Sequence, residues 1–357
     1  MKTAALAVLA AGFMAPTAAL ATPSCEAQGE VRPYCGFRQP EDLEPLADGR
    51  HLLVSQMNLT PTPQGFLFKS GKLSLLDTRT GKVRDLYPGK SAGQAKAKPT
   101  PGWGDPACPG EIGDALSPHG IHLSRRGDGR LQLLVVNHGG REAVEFFELD
   151  GQRLTWRGCA VAPRGSTMND VAARPGGGFI ASNMIDASTP EQAAQAMDNV
   201  ARGENTGFVW TWSASFGYQK LPGSDGPLPN GVQVDAAGRY AYYNVVGPQG
   251  AVRKVDLQNY RLVGSAPTPN PDNLSWDGKR LLTAGVLDHR TLSQCDSAAP
   301  CRSASHASAI DPETMQATRL FEQDGSLQRG VSVAVAMGKR LYIGAFAGDR
   351  VLSVPLK

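Results

Sequence analysis

One hairpin is written six times in this chain, and it constrains the fold more than any other feature. A short turn carrying glycine leads at once into a β-rich strand. The copies are Asp48-Gly49-Arg50 before HLLVS, Asp128-Gly129-Arg130 before LQLLVV and Gly176-Gly177-Gly178 before FIAS. They continue as Ala237-Gly238-Arg239 before YAYYNV, Asp277-Gly278-Lys279 before RLLTA and Met337-Gly338-Lys339 before RLYIGAF. Glycine supplies the positive φ that such turns require. A second turn recurs downstream, at Asp77 to Gly81, Asp150-Gly151, Asp256 to Asn259 and Asp311 to Thr314. Setting aside a leader of 21 residues, the 357-residue chain allows about 56 residues per copy, room for four short strands and their turns. The spacing predicts an all-β fold, a six-bladed β-propeller occupying 22–357 as a single domain. The competing fold is an irregular β-sandwich with generic turns, but sandwiches rarely repeat one hairpin six times. The 41 glycines and 26 prolines suit short strands better than helices.

Residues 1–21 read as a secretory signal peptide. Lys2 gives a positive start, Ala4 to Ala19 is apolar, and Ala19-Leu20-Ala21 is a small-x-small exit. A buried helix or membrane anchor is the other reading of that run, which is short for a span. No later stretch is apolar enough to cross a bilayer, so the expectation is an exported chain, periplasmic or secreted, with no stable membrane insertion. Six cysteines follow: Cys25, Cys35, Cys108, Cys159, Cys295 and Cys301. An even count in an exported chain suggests up to three disulfides in any of 15 connectivities. Cys25–Cys35 and Cys295–Cys301 are the simplest local pairs, leaving Cys108–Cys159. No CxxC spacing supports zinc. Charged residues are 19% of the chain and the net charge is +3, too little basic excess to neutralise a run of phosphates, so nucleic acid is excluded as a partner. The expected partner is a small molecule, and the expected state a monomer.

Two stretches interrupt the repeat. Residues 89–118 are rich in proline, glycine and lysine and read as a surface loop. Residues 188–202 (STPEQAAQAMDNVAR) read as a short helix with Ser188 and Glu191 as a capping box, either a lid over one face or a structural decoration.

Counting back from the turn glycines gives a set of polar residues. Eight residues before Gly49, Gly177 and Gly238 stand Glu41, Asn169 and Asn230. Six before Gly278 is Asp272, followed by Asn273, and ten before Gly129 is His119. In a propeller the innermost strands line a central tunnel, so equivalent positions converge on one axis. Glu41, Asn169, Asn230, Asp272 and Asn273 would then form a ring of oxygen donors with two carboxylates, a set that suits Ca²⁺. Asp42 and Asp170 follow Glu41 and Asn169 directly, and alternation would direct them to a second, deeper oxygen site. The plainer reading is that these residues cap strand ends around a water-filled tunnel.

Taken in order, Glu41-Asp42-Leu43-Glu44, Pro118-His119-Gly120-Ile121, the strand LLVVNH ending at His138, Asn169-Asp170, Asn230-Gly231, Asp272-Asn273 and the closing GVSVAVAMGKRLYIGAF resemble the paraoxonase/arylesterase family. Its broader kin are the calcium-dependent sugar-lactonase propellers of the gluconolactonase group and, more distantly, strictosidine-synthase-like propellers. The resemblance runs from about Glu41 to Leu352. It implies a six-bladed propeller with two calcium ions in its tunnel. Glu41, Asn169, Asn230, Asp272 and Asn273 would hold the catalytic ion; Asp42, Asp170 and the backbone carbonyl of Ile121 would hold a structural one. His119 and His138 match the family's histidine pair. The family joins its N-terminal segment to its last strand by a disulfide, but the matching position here is Ser353. The residue two before Asn230, aromatic in the family, is Leu228. The loop before His119 carries the 89–118 insertion, and the amphipathic N-terminal helix of animal members is not visible.

The implied chemistry is hydrolysis of lactones or aryl esters. Ca²⁺ would polarise the carbonyl, His119 would act as general base on water, and His138 would orient it or relay the proton. Outside the resemblance His119 reads as a strand-end histidine bonded to backbone, and His122 reads as structural. The chain has no G-x-S-x-G elbow, G-x-G-x-x-G or P-loop lysine motif. Leu228, Met184, Ile185 and Phe346 are the expected pocket walls, favouring a hydrophobic lactone or aryl ester. The alternatives are a sugar lactonase of the same fold and a non-catalytic exported binding module.

Overall fold

Each of the six repeated glycines adopts positive φ, from +62° at Gly338 to +106° at Gly177, and each lies in the turn from an innermost strand to the next one out. At Gly49 and Gly338 a Cβ would meet no atom within 4 Å, so the requirement there is the dihedral and not space. Aspartates lock several of these turns: Asp48 Oδ1 accepts the N–H of Arg50 and His51, and Asp277 Oδ1 accepts that of Arg280.

The computed structural model describes residues 24–62, 65–89, 97–186, 189–288 and 302–356. Strand β1 (Arg32–Cys35) precedes the first blade, which comprises β2 (Pro40–Pro45), β3 (His51–Gln56), β6 (Lys72–Asp77) and β7 (Val83–Tyr87), with a side hairpin of β4 (Leu59–Thr62) and β5 (Gly65–Phe68). Blade two is β8 (Pro118–Arg125), β9 (Leu131–Asn137), β10 (Ala143–Asp150) and β11 (Arg153–Val161). Blade three is β12 (Ser166–Ala173), β13 (Phe179–Asp186), β14 (Phe208–Ser213) and β15 (Gly217–Lys220), with helix α1 (Pro190–Arg202) inserted after β13. Blade four is β16 (Val232–Val234), β17 (Tyr240–Val245), β18 (Ala251–Asp256) and β19 (Arg261–Pro267). Blade five is β20 (Pro271–Trp276), β21 (Leu281–Val286), β22 (Ser305–Ile310) and β23 (Ala317–Gln323). Blade six is β24 (Val331–Met337), β25 (Arg340–Ala345) and β26 (Arg350–Pro355), completed by β1 from the other end of the chain. This is the six-bladed propeller that the hairpin repeat predicts. The second recurring turn joins the third and fourth strands of blades one, two, four and five.

Closure is a strand pairing. Arg32 pairs with Ser353 and Cys35 with Arg350 in the β1–β26 ladder, so Ser353 does stand at the seam, held by hydrogen bonds. The Cys25–Cys35 disulfide anchors β1 to the segment that precedes it. Leu43, Ile121, Val171, Val232, Leu274 and Val333 of the inner strands are all buried, each in a cluster formed between neighbouring blades. Each contributes about 1.5–3 kcal/mol of burial.

The glycine turns occupy one end of the tunnel. The hairpin β4–β5, the 97–117 segment and α1 all project from the other end. Residues 89–118 are not simply a surface loop. Within them Trp103 is 1% exposed and packs among Leu134, Val136 and Phe146 of blade two. Cys108 is disulfide-bonded to Cys159 of β11. The segment is polar in composition but is tied down by one indole and one disulfide. The helix begins at Pro190 and not at 188, so Thr189 takes the capping position before a first-turn proline. Ser188, the expected Cys295–Cys301 pair and the expected 1–21 leader fall outside the described residues. Two disulfides among the described residues point to an oxidising compartment. No helix among them is long and apolar enough to cross a membrane.

Candidate metal centre and histidine chain

The predicted site residues sit where the inner strands break register. The β2–β3 ladder skips Glu41, β8–β9 skips His119 and Gly120, β12–β13 shifts around Asn169 and Asp170, and β20–β21 skips Asp272 and Asn273. In blade four Asn230 and Gly231 lie just before β16. A bulge re-aims a side chain that simple alternation would direct elsewhere. Neighbours such as Glu41 and Asp42 are thereby both turned inward instead of to opposite faces, and both are buried.

The five expected ring residues come together at the end of the tunnel away from the glycine turns. Asn273 Nδ2 donates to Glu41 Oε1 at 2.7 Å, and Asn230 hydrogen-bonds Asp272. Asn169 Nδ2 lies 3.2 Å from His119 Nε2, whose ring is 3.7 Å from Glu41 Oε1. Each amide therefore turns its N–H groups to a neighbour. What remains is a set of acceptors with no donor: Glu41 Oε2 and the Oδ1 atoms of Asn169, Asn230 and Asn273, all buried. An orphaned buried acceptor costs about 1–3 kcal/mol, so four of them would consume much of a typical stability of about 5–15 kcal/mol. Neutral amide oxygens beside carboxylates are the donor set of a hard cation, and these residues fit calcium.

Electrostatics agrees in sign. Burial, reinforced by the charges of Asp42 and Asp272, holds the Glu41 carboxyl well above the usual range. Asp272 is raised by burial and by Asp42, and Asp170 by burial and by Asp42. Burial pushes Asp42 up to about 7. Among the described residues no lysine or arginine ion-pairs with any of the four; His119 lies 3.7 Å from Glu41. Glu44, a fifth buried carboxyl, is raised by burial and by Asp42 and adds its own charge to that felt by Asp170.

Asp42 and Asp170 are placed differently from the ring. Asp42 Oδ2 accepts the Ile121 N–H and Asp170 Oδ2 accepts the Val232 N–H, both at 2.7 Å, so each carboxylate reaches across to the next blade. Gly120 lies directly against Asp170: a Cβ there would lie 2.5 Å from Asp170 Oδ1. The contact that Ile121 makes with Asp42 is through its backbone N–H, not through the carbonyl expected as a ligand.

His119 Nδ1 and His138 Nε2 are 2.8 Å apart, and His138 Nδ1 is 2.8 Å from Glu142 Oε2. The His119 ring nitrogens meet side chains, not backbone. Burial, then the neighbouring His138, pulls the His119 pKa well down, so the imidazole is neutral. Phe68 stacks on His138 with centroids 3.9 Å apart. Glu142 and Phe68 escaped the sequence reading. Glu142 follows His138 by four residues, a spacing with no meaning outside this turn, and Phe68 belongs to a side hairpin that no repeat announces. His122 lies deeper, 3.5 Å from Glu44, and burial pulls it down to about 4.

Of the expected pocket walls, Leu228, Met184 and Ile185 form one apolar cluster with Val200 and Met197 of α1. Leu228 holds φ +42°, a costly conformation for leucine, two residues before Asn230. Phe346 does not join this cluster. It is on blade six beside Gly330, whose carbonyl its N–H meets at 2.9 Å.

No family model and no curated protein matches the chain. Solved structures do. A gluconolactonase from Xanthomonas campestris aligns with TM-score 0.53 and 13% identity, covering 95% of this chain and 96% of that one. A structural-genomics protein provisionally called a gluconolactonase gives 0.52 and 12%, covering 92% of each. A protein from Thermus thermophilus, provisionally called an oxidoreductase (glucose dehydrogenase), gives 0.50 and 13%, with 91% and 99% covered. At these identities the likeness establishes a shared six-bladed propeller fold.

Proposed function

We propose that this protein is a calcium-dependent hydrolase of lactones or aryl esters. The observation that carries the reading is the ring of four donorless buried oxygens beside a buried, hydrogen-bonded histidine pair. Glu41, Asn169, Asn230, Asp272 and Asn273 would hold one calcium ion; Asp42, Asp170 and the Ile121 carbonyl would hold the second. A calcium ion in the ring supplies Lewis acidity toward a carbonyl oxygen. His119 takes a proton from water on Nε2 as the hydroxide oxygen adds to the acyl carbon. The ring C–O bond then breaks, and the proton returns to the leaving alkoxide oxygen. Lactone plus water gives a hydroxy acid, with no redox change. The gluconolactonase names of two fold neighbours support a lactone substrate. The apolar cluster of Leu228, Met184 and Ile185 favours a hydrophobic lactone over a sugar lactone.

The test is hydrolysis of an aliphatic lactone, a sugar lactone and phenyl acetate by purified mature protein, in EGTA and then with added Ca²⁺. Calcium-restored turnover is expected, fastest on the aliphatic lactone. His119→Gln should lower kcat by about 10²–10⁴-fold. Folded, calcium-loaded protein that hydrolyses none of the three would overturn the reading.

A further inference from the structure

The chain of contacts that ends at the ring begins at a carboxylate outside it. Glu142 lies on the β9–β10 turn. Its Oε2 is 2.8 Å from His138 Nδ1, and its Oε1 accepts the N–H of Met168 at 2.5 Å. Met168 immediately precedes Asn169, so one side chain grips both the histidine pair and the blade-three bulge. The turn itself is rigid. Asn137 Nδ2 donates to the Gly139 and Arg141 carbonyls, and Arg141 pairs with the fully buried Glu145, which also accepts the Trp156 indole N–H. Phe68 covers the His138 face.

We infer that Glu142 is a positioning residue that sets the hydrogen-bond polarity of the whole site. The inference rests on the hydrolase reading above for its kinetic consequence, but not for its structural content. Glu142 Oε1 already accepts the Met168 N–H and its Oε2 is placed to accept from the ring, so His138 carries a proton on Nδ1. Its Nε2 is then a lone pair, and the 2.8 Å contact obliges His119 to donate from Nδ1. His119 Nε2 is left unprotonated and faces Asn169 Nδ2 at 3.2 Å. The Asn169 amide must present nitrogen to that lone pair, which leaves Oδ1 donorless. One acceptor at Glu142 therefore fixes both the basic atom of His119 and the oxygen that Asn169 gives to the ring.

Glu142→Gln is the discriminating variant. Glutamine has the same length, and its amide oxygen can still accept the Met168 N–H. Its amide nitrogen then faces His138 Nδ1 and donates where the carboxylate accepted. Histidine ¹⁵N spectra of the calcium-loaded full-length protein read the tautomers directly. In wild type both histidines are expected as Nδ1–H; in the variant both move to Nε2–H. Calcium affinity, by titration calorimetry, should fall about 10–100-fold as Asn169 turns. Turnover should fall at least about 100-fold with KM little changed. Rings already Nε2–H in wild type, or unmoved in folded Glu142→Gln, would overturn the inference; the wild-type spectrum decides it even if the variant fails to fold. Tautomers that switch in a protein without lactone or ester turnover would uphold it while defeating the hydrolase reading.

Discussion

Gly120 shows how closely the inner strands converge. A methyl group on it would lie 2.5 Å from Asp170 Oδ1, 2.6 Å from Asp170 Cα and 2.7 Å from the Asn169 carbonyl. Two of these are backbone atoms, and the third belongs to a carboxylate pinned by the Val171 and Val232 N–H groups. Gly231 is confined in the same way by the Asp272 carbonyl and the Leu274 N, both at 2.5 Å. Gly120→Ala must therefore spread blades two and three at the very residues proposed to bind calcium. Overpacking of this kind costs about 1–3 kcal/mol. The expected outcome is a urea midpoint lowered accordingly, together with weaker calcium binding. An alanine variant with unchanged midpoint and calcium affinity would show that the strands have slack there. The residues of the ring were legible in the sequence because the hairpin repeat gave a ruler from which to count. The reason for their glycine neighbours was not, because close approach between strands far apart in the chain leaves no local pattern. Glu142 was hidden for the same reason: its partners are one turn of chain and one neighbouring blade.

At the scale of elements, the strands and their glycine turns followed from local chemistry, and the insertions did not. Proline and glycine in 97–117 correctly signalled irregular backbone, but not that Trp103 would sink to 1% exposure with Arg126 stacked 4.1 Å above it. Burial of an irregular segment is decided by a long-range partner, here β11 through Cys159. The two disulfides differ in what they close. Cys25–Cys35 spans 10 residues and Cys108–Cys159 spans 51. On the chain-entropy account these are worth roughly 3 and 4 kcal/mol. Replacing both cysteines of a pair by serine should lower the thermal midpoint more for Cys108/Cys159 than for Cys25/Cys35. The longer link also fastens the insertion to blade two, so its loss should speed proteolytic cutting between 97 and 117. Calorimetry and limited proteolysis of the two double variants check both points; the reverse order would mean that the β1–β26 seam, and not the insertion, governs stability.

For the molecule as a whole, the propeller gathers negative charge onto its axis, and that makes stability a joint function of pH and calcium. A carboxyl whose pKa is raised on folding holds its proton more tightly in the native state. Its stabilisation is complete below the unfolded value near about 4 and is lost as pH climbs through the folded value. Burial raises Asp42 to about 7 and moves Glu41, Asp170 and Asp272 in the same direction, so the metal-free protein should weaken as pH rises from about 4 through about 7 on their account. Buried histidines act oppositely. His306, hydrogen-bonded to the Pro269 carbonyl, is lowered to about 4 by burial, and its stabilisation is present above pH 6.5 and lost toward 4. A single stability curve therefore mixes the two trends. The difference between calcium-loaded and EGTA-treated protein removes the His306 contribution, because His306 makes no contact with the ring and cancels, and leaves that of the ring carboxylates together with His119, which does touch them. Calcium binds the ionised carboxylates and must displace their protons at lower pH. The rise in thermal midpoint on adding calcium should thus be small at about pH 5 and large at about pH 8, by the mass-action relation between ligand and native state. An equal rise at both values would place the bound ion away from these four carboxylates, and no rise at either would remove calcium from the account of this fold.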